Sequence, residues 1–451
     1  SSSLNSLFKR INKKQLVYCY VIISYIRDLQ SHFIIKLPQH HTIMDHSHLP
    51  LEGIKVVEFS HMVMGPTAGL ILADLGADVV KVEPPIGDNT RRLKGSGAGY
   101  FPMYNRNKKS LCVDLKSEKG KQLVLEIISQ SDVLIENFRA GVMSNLGLGY
   151  EQLNQSNERL IYCSLKGFLS GPYQNRTALD EVAQMMGGLA YMTGLPDKPM
   201  RAGSSVIDIA GGMFGVIAIL AALERRHKTG KGEQVTSSLF ETTAFMVGQH
   251  MAQEIVSGEQ VPPMSVRQSA WSVYDIFATK DGHKIFVGIV SDTLWLKFCR
   301  EFKLESFGND PTLQRNNDRV EQRSSILPVL TDLFGNMTKQ ALIKKLEEAG
   351  VPFAPINRPT DLFEDPHLNQ GGGLVPLKIP KSNKTRAKTK LPALPIEIGS
   401  KRLGLRREIP IQGDNGGQIL HDLGYSQENI DKMIMDGIVT ADVPHVKNTN
   451  K

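Results

Sequence analysis

Asp208 is the residue whose setting in this sequence most invites chemistry. It follows the apolar pair Val206-Ile207 and precedes Ile209-Ala210-Gly211-Gly212, and the segment then runs through Gly215 into an apolar stretch ending at Glu224-Arg225-Arg226-His227. A helix opening here turns its first backbone N–H groups outward, and a carboxylate beside them has two uses. It can cap the helix, a role that aspartate fills without any catalysis. It can also act as an ionised group, with an ordinary pKa of about 3.9, that attacks an electrophile without a partner base. Gly211, Gly212 and Gly215 weigh against a cap alone, because a glycine in a helix interior costs up to about 1 kcal/mol relative to alanine. Close approach of another group to that backbone is the expected reason for them.

Other chemistries lack their residues. No G-x-G-x-x-G follows the first strand, where Gly65 and Gly69 are four apart, and no G-x-x-x-x-G-K-[ST] occurs. The dinucleotide and P-loop readings thus lose their main support. Cys19, Cys112, Cys163 and Cys299 form no C-x-x-C and have no histidine cluster beside them, so neither a metal site nor a disulfide framework is expected. A reducing compartment fits this usage. Gly371-Gly372-Gly373, after Asp365-Pro366 in a polar stretch, reads as a flexible turn.

The elements that must position Asp208 read as an α/β fold. Gly53–Phe59 is a strand, the Gly65-Pro66 turn leads into an apolar helix over Thr67–Leu75, and Ala77–Glu83 is a second strand. Strand, helix and strand within about 30 residues make a βαβ unit and hence a parallel sheet. The pattern repeats with strands at Leu111–Leu115, Val133–Glu136 and Leu160–Leu165, a helix at Glu118–Ser129 and a mostly helical stretch over Met143–Asn154. The expectation is a Rossmann-like, doubly wound large domain. Ile207–His227 is its long apolar helix, closed by Lys228-Thr-Gly-Lys-Gly232, and it is followed by a strand at Gln234–Leu239 and a Met-rich helix from Glu241 to about Val256. Strands at Tyr274–Ala278 and Lys284–Val290 around the Asp281-Gly282 turn, with helices through Ala349, form a smaller α+β domain. The Lys-rich stretch up to about Leu391, with Pro376 and Pro380, reads as a crossing linker. A helical pair at Gly417–Leu423 and Gln427–Asp436 ends the fold. The expected organisation is 1–43 an appendage, 44–257 the first part of the large domain, 258–366 linker and small domain, 367–440 return linker and remainder of the large domain, and 441–451 a tail.

The 451 residues have ordinary globular composition, 41% hydrophobic and 22% charged, which excludes a disordered or collagenous chain. The net charge of +7 raises nucleic acid or acidic membranes as partners, but its distribution argues against both. Six basic residues against one acid lie in 1–43 and ten against one in 376–407, so the rest of the chain is net acidic. The apolar run Leu16–Ile26 is shorter than the roughly 20 residues that span a bilayer. Residues 1–43 are expected to lie outside the fold, with Met44 as the working start and a cytoplasmic location; the alternative is a basic, acid-poor transit peptide leading to the mitochondrial matrix.

Seven blocks, in order, resemble the class III CoA-transferase family. They are Pro50–Phe59 with the Gly65-Pro66 turn, Leu75–Glu83, Asn105-Arg-Asn-Lys-Lys-Ser110, Glu136-Asn-Phe-Arg139, Leu146-Gly-Leu-Gly-Tyr150, His227–Gly232 and Leu423-Gly-Tyr425. The family includes formyl-CoA transferase, carnitine CoA-transferases and succinyl-CoA-dependent dicarboxylate transferases. The resemblance implies that Asp208 is a covalent nucleophile, forming an anhydride with the acyl group and then a thioester with CoA. It implies CoA contacts at Val113, Asp114, Leu115 and Lys116, at Asn137, Phe138 and Arg139, and at Arg176. It places Val63, Met64, Asp180, Gly211 and Gly212 near the substrate, with the two glycines letting acyl groups and backbone donors approach the reacting carbon. CoA and acyl-CoA enter as substrates, no tightly bound cofactor is implied, and an interlocked homodimer is.

Two departures narrow the activity. The family's α-methylacyl-CoA racemases add the histidine of a Gly-His-Asp triplet, where this sequence has Ala178-Leu179-Asp180, so one acid/base group is missing. The glycine-rich loop of formyl-CoA transferase has no counterpart around residues 258–272, which disfavours a formyl/oxalate specialist and favours another small dicarboxylate or a hydroxy-dicarboxylate. Pro84 and Asn145 stand where basic or histidine residues are common. The alternatives are a racemase or isomerase of the same fold, or a non-catalytic CoA-binding subunit in which Asp208 only caps.

Overall fold

The computed structural model describes residues 49–267, 269–380 and 386–440. The expectations for residues 1–43 and 441–451 lie outside them.

Strands β1 (Lys55–Phe59), β2 (Asp78–Glu83), β3 (Lys109–Val113), β4 (Val133–Glu136), β5 (Ile161–Lys166) and β6 (Gln234–Ser238) pair in parallel in the order β3-β2-β1-β4-β5-β6. Alternate residues feed two cores, as a pleated strand requires. Val56, Val79, Val133, Ile135, Ile161 and Cys163 face helices α1 (Met64–Asp74) and α4 (Val206–Thr229). Val57, Val80, Leu111, Leu134 and Tyr162 face α2 (Glu118–Ser129). Because both faces are covered, the strands read as near-continuous apolar runs. Helix α3 (Asp180–Met186) precedes α4, and α5 (Leu239–Ser257) follows β6.

A separate core gathers Trp295, Phe298 and Phe334 under an antiparallel sheet of β7 (Val273–Ala278), β8 (Lys284–Ile289) and β9 (Phe353–Pro355), with helices α6 (Asp292–Glu301), α7 (Arg323–Gly335) and α8 (Lys339–Ala349). The third strand was not legible because three residues carry no period. The chain then returns through α9 (Gly416–Asp422) and α10 (Gln427–Met435) to the edge of the parallel sheet. There Val439 pairs antiparallel with Val113.

One expectation is corrected and one is refined. The Lys-rich stretch is no bare linker: Leu374–Pro380 (β10) and Arg386–Pro392 (β11) form an antiparallel ladder, with Leu377 buried beside Phe101 and Ile409. Pro376 and Lys378 on the exposed face hid the alternating buried Val375 and Leu377. The stretch over 143–154 is two short helices, Val142–Asn145 and Tyr150–Ser156, separated at Gly147 by a left-handed φ of 76°, a conformation glycine adopts without strain.

Candidate active site

A cavity of about 620 Å³ opens at the C-terminal ends of β1, β4 and β5. Strand order reverses between β1 and β4, and open α/β sheets bind ligands in the crevice outside such a switch point.

Beneath it lies a buried charge cluster. Glu58, Lys81 and Lys108 are each shielded from solvent. The Lys108 Nζ is 2.8 Å from Glu58 Oε2, and Lys81 Nζ is 3.1 Å from Asp88. Lys81 also donates to the Ser60 carbonyl at 2.5 Å. Burial pushes the Lys108 ammonium down to about 8 against the pull of Glu58. For Lys81 burial acts the same way, but Glu58, Asp88 and Glu83 outweigh it and raise the pKa. The cluster fixes the turn after β1. There Met62 takes a left-handed φ of 63° and its N–H donates to Thr90 Oγ1 at 3.0 Å.

Asn137, just past β4, closes the same turn from the other side. Its Oδ1 accepts the His61 N–H at 3.0 Å and its Nδ2 donates to the His61 carbonyl at 2.9 Å. The Phe138 ring stacks on the His61 imidazole, centroids 5.7 Å apart. Burial lowers the His61 pKa, with Asp88 opposing, so the ring is neutral at neutral pH. Lys166, at the end of β5, sits 2.6 Å from Glu136 and donates to the Phe138 carbonyl.

Asp208 enters from the first turn of α4, at its third residue, and does not cap it. The cap comes from elsewhere: Asp180 Oδ2 accepts the N–H groups of Ile207 at 2.9 Å and Asp208 at 3.1 Å. With its capping duty filled, the Asp208 carboxylate lines the cavity. Burial, then the Asp180 charge, push its pKa up to about 7, with Arg201 pulling the other way. The expectation of full ionisation at neutral pH is therefore corrected: the uncharged form is well populated in the free site. The charge of Asp208, after burial, also helps raise Tyr104 to about 12, so that phenol keeps its proton.

Asp208, Asp180, Met64, Asn137, Phe138, Arg139 and Arg176 meet at this cavity. Arg176 is exposed, its guanidinium 4.8 Å over the Tyr173 ring. Val63 and Val113–Lys116 do not line it. Val63 and Val113 are buried, the Val63 carbonyl accepts from Thr67, and Asp114 accepts the Lys116 N–H at the end of β3. The two glycines are also reassigned. A Cβ on Gly212 would stand 2.6 Å from the Met64 carbonyl oxygen, and one on Gly211 would stand 2.6 Å from the Met64 Cε. Their smallness seats α4 against α1, and neither glycine lines the cavity. Sequence reasoning missed His61, Met62, Tyr100, Lys166 and Arg201, all at the cavity. His61 and Lys166 stand at C-terminal strand ends, a findable signal, whereas Arg201 lies in an irregular segment that carried none.

An open parallel sheet with a desolvated carboxylate in the cavity at its switch point defines an α/β protein with a candidate ligand site there and no Gly-rich phosphate loop after its first strand. Residues 51–415 match the profile of CoA-transferase family III, and the chain belongs to this family. An acyl-CoA transferase of Fusarium pseudograminearum is 33% identical over 86% of this chain and 88% of its own. The succinyl-CoA:glutarate CoA-transferase of Mus musculus is 30% identical over 86% of this chain and 90% of its own. A crystal structure of a CAIB/BAIF family protein from Brucella suis superposes with a TM-score of 0.72 at 33% identity, covering 83% of this chain and 99% of that one.

Proposed function

We propose that this CoA-transferase exchanges CoA between short dicarboxylic acids, succinyl-CoA among them, through covalent intermediates on Asp208. A carboxylate oxygen of Asp208 attacks the acyl-CoA carbonyl, the C–S bond breaks, and CoA leaves as thiolate from an aspartyl-acyl anhydride. The thiolate attacks the aspartyl carbonyl, the first acid departs as carboxylate, and Asp208 holds CoA as a thioester. An incoming carboxylate attacks that thioester, again expelling thiolate. The thiolate then takes the new acyl group and restores the Asp208 carboxylate, so no net proton is consumed.

The observation that carries this reading is the Asp208 carboxylate facing the cavity, desolvated and relieved of capping by Asp180. Desolvation makes a carboxylate a stronger nucleophile than it is in water and keeps an anhydride from hydrolysis. Arg139 and Arg176, exposed at the cavity, suit the phosphates of CoA, with Asn137 and Phe138 beneath them and the Val113–Lys116 strand end further along the same edge. The dicarboxylate preference draws on relatives such as the mouse succinyl-CoA:glutarate enzyme. A homodimer is part of the proposal. Phe214 and Ile217 on α4, with Phe245, Ile255 and Val256 on α5, leave an apolar face open that a second copy would cover.

The test is to incubate the protein with succinyl-CoA, digest it, and look by mass spectrometry for CoA on the Asp208 peptide. Absence of the adduct across a panel of acyl-CoAs, with undiminished exchange in Asp208→Asn, would sink the proposal. Deuterium wash-in at the α-carbon of a 2-methylacyl-CoA would favour a racemase instead. Leu179, exposed at the cavity, offers no base for that reaction.

A further inference from the structure

The cavity holds four cations, and three of them have evident occupations. Lys166 is engaged by the Glu136 carboxylate and the Phe138 carbonyl. Arg139 and Arg176 are exposed and, on the reading above, belong to the phosphates of CoA. Arg201 is different. Its side chain is 33% exposed, its Nη2 stands 3.4 Å from Asp180 Oδ1 and its Nη1 3.9 Å from Glu181 Oε2. Among the described residues, its one hydrogen bond within the usual geometry runs from Nε to the Ala202 carbonyl at 3.1 Å. The two Nη groups thus keep N–H donors for a ligand. Arg201 is also the one cation whose field opposes the raised pKa of Asp208, which puts its charge within reach of the reacting carboxyl.

A diacid reacting at Asp208 through one end brings its other carboxylate into a space that already contains Asp180, Asp208 and Glu181. Like charges in a partly desolvated site repel strongly, so a diacid is admitted only where a cation receives that second group. A guanidinium with two free donors in one plane matches a carboxylate's two oxygens.

We propose that Arg201 is the receptor for the distal carboxylate of the acid exchanged at Asp208, and so selects dicarboxylic over monocarboxylic substrates. The proposal rests on Asp208 being the exchanging residue and adds which side chain reads the substrate. It makes Arg201 a specificity residue that leaves bond-making to Asp208.

The test compares glutarate with its monoamide, two acceptors that differ only at the distal group, using succinyl-CoA as donor for both. Donor effects and any shift of Asp208 on mutation act on both acceptors and cancel in the ratio of kcat/KM. The wild type is expected to prefer glutarate by at least about tenfold, mostly through KM, as a lost charged hydrogen bond predicts. Arg201→Gln is expected to bring the ratio near one, and Arg201→Lys, which keeps the charge without the planar fork, to give an intermediate ratio. An unaltered ratio in both variants, with both acceptors slowed alike, overturns the proposal and makes Arg201 a support for Asp180. A wild type indifferent to the two acceptors overturns it as well. In both cases the CoA adduct on Asp208, measured separately, decides whether the transferase reading stands.

Discussion

The carboxylate of Asp180 and the backbone N–H of Asp208 are joined at 3.1 Å, so the helix bearing the candidate nucleophile is capped by a residue of a different helix. One oxygen of Asp180 serves both Ile207 and Asp208, while the other accepts from Gln184 at 2.6 Å. An anion at a helix N-terminus is favoured by the macrodipole. The same anion sits beside Asp208 and makes its ionisation harder.

The pH dependence of exchange follows from that pair. On the proposed mechanism Asp208 attacks as the carboxylate, and its pKa is pushed up to about 7, so kcat/KM should fall on the acid side around pH 7 rather than around pH 4. Asp180→Asn keeps an acceptor for the two N–H groups but removes the charge that raises Asp208, so the acid limb should move to lower pH. A pH profile of CoA exchange for both proteins checks this. A limb that stays in place in Asp180→Asn would assign it to another group.

Stability should respond in the opposite sense to activity. A carboxyl whose pKa is raised by folding leaves the fold unpenalised at low pH, and the penalty grows as pH rises from about 4 through about 7. Asp208→Asn removes the penalty. Allowing for partial solvent screening, it should stabilise the protein by on the order of 2 kcal/mol at pH 8 and by almost nothing at pH 4. Urea unfolding at the two pH values measures the difference.

Gly211 and Gly212 should differ although they are neighbours. A Cβ at Gly211 meets the mobile end of the Met64 side chain, whereas one at Gly212 meets the Met64 carbonyl oxygen and Thr67. Gly211→Ala is expected to cost no more than about 1 kcal/mol, because the thioether turns aside. Gly212→Ala should cost about 2 to 3 kcal/mol as α1 is pushed off α4, and it should slow exchange by moving Asp208. Thermal unfolding with parallel rate measurements separates the two.

The cluster beneath the cavity gives a fourth prediction. Replacing Lys108 with Met leaves the buried Glu58 with the 3.5 Å contact to Lys81 as its remaining ion pair, beside the Ser60 hydroxyl that donates to it at 2.6 Å. Breaking a buried pair from one side costs about 3 to 5 kcal/mol. The double change Lys108→Met with Glu58→Gln should recover part of that loss, and a thermodynamic cycle by chemical denaturation reads the coupling.

Much of this molecule was legible in its sequence because its signals are local. The strands around Val56-Val57, Val79-Val80 and Leu134-Ile135 are written as apolar runs between turns, and the helix from Val206 to Thr229 is bounded by a small-residue opening and a glycine end at Gly230 with φ 76°. The hairpin of β10 and β11 was hidden by prolines and lysines on its outer face, since alternation is hard to see when the exposed half includes proline. The strand at Phe353–Pro355 was hidden by its length. In the site, Asn137 and Phe138 were found through a block of sequence, but their partner His61 was not: its place just past β1 was the signal open to sequence reasoning, since the two-way amide clamp with Asn137 leaves no trace in spacing.

Asp208 itself marks the division. Its type, its place at the start of an apolar helix and the glycines after it were fixed by local sequence, because helix signals and residue chemistry act over a few neighbours. What its carboxyl does was decided by tertiary structure. Asp180, twenty-eight residues away, takes over the cap; Met64 and Thr67, on another helix, account for the glycines; and burial with two neighbouring charges of opposite sign sets the pKa. Electrostatic and steric terms of this kind depend on distances in space, which the folded chain alone supplies.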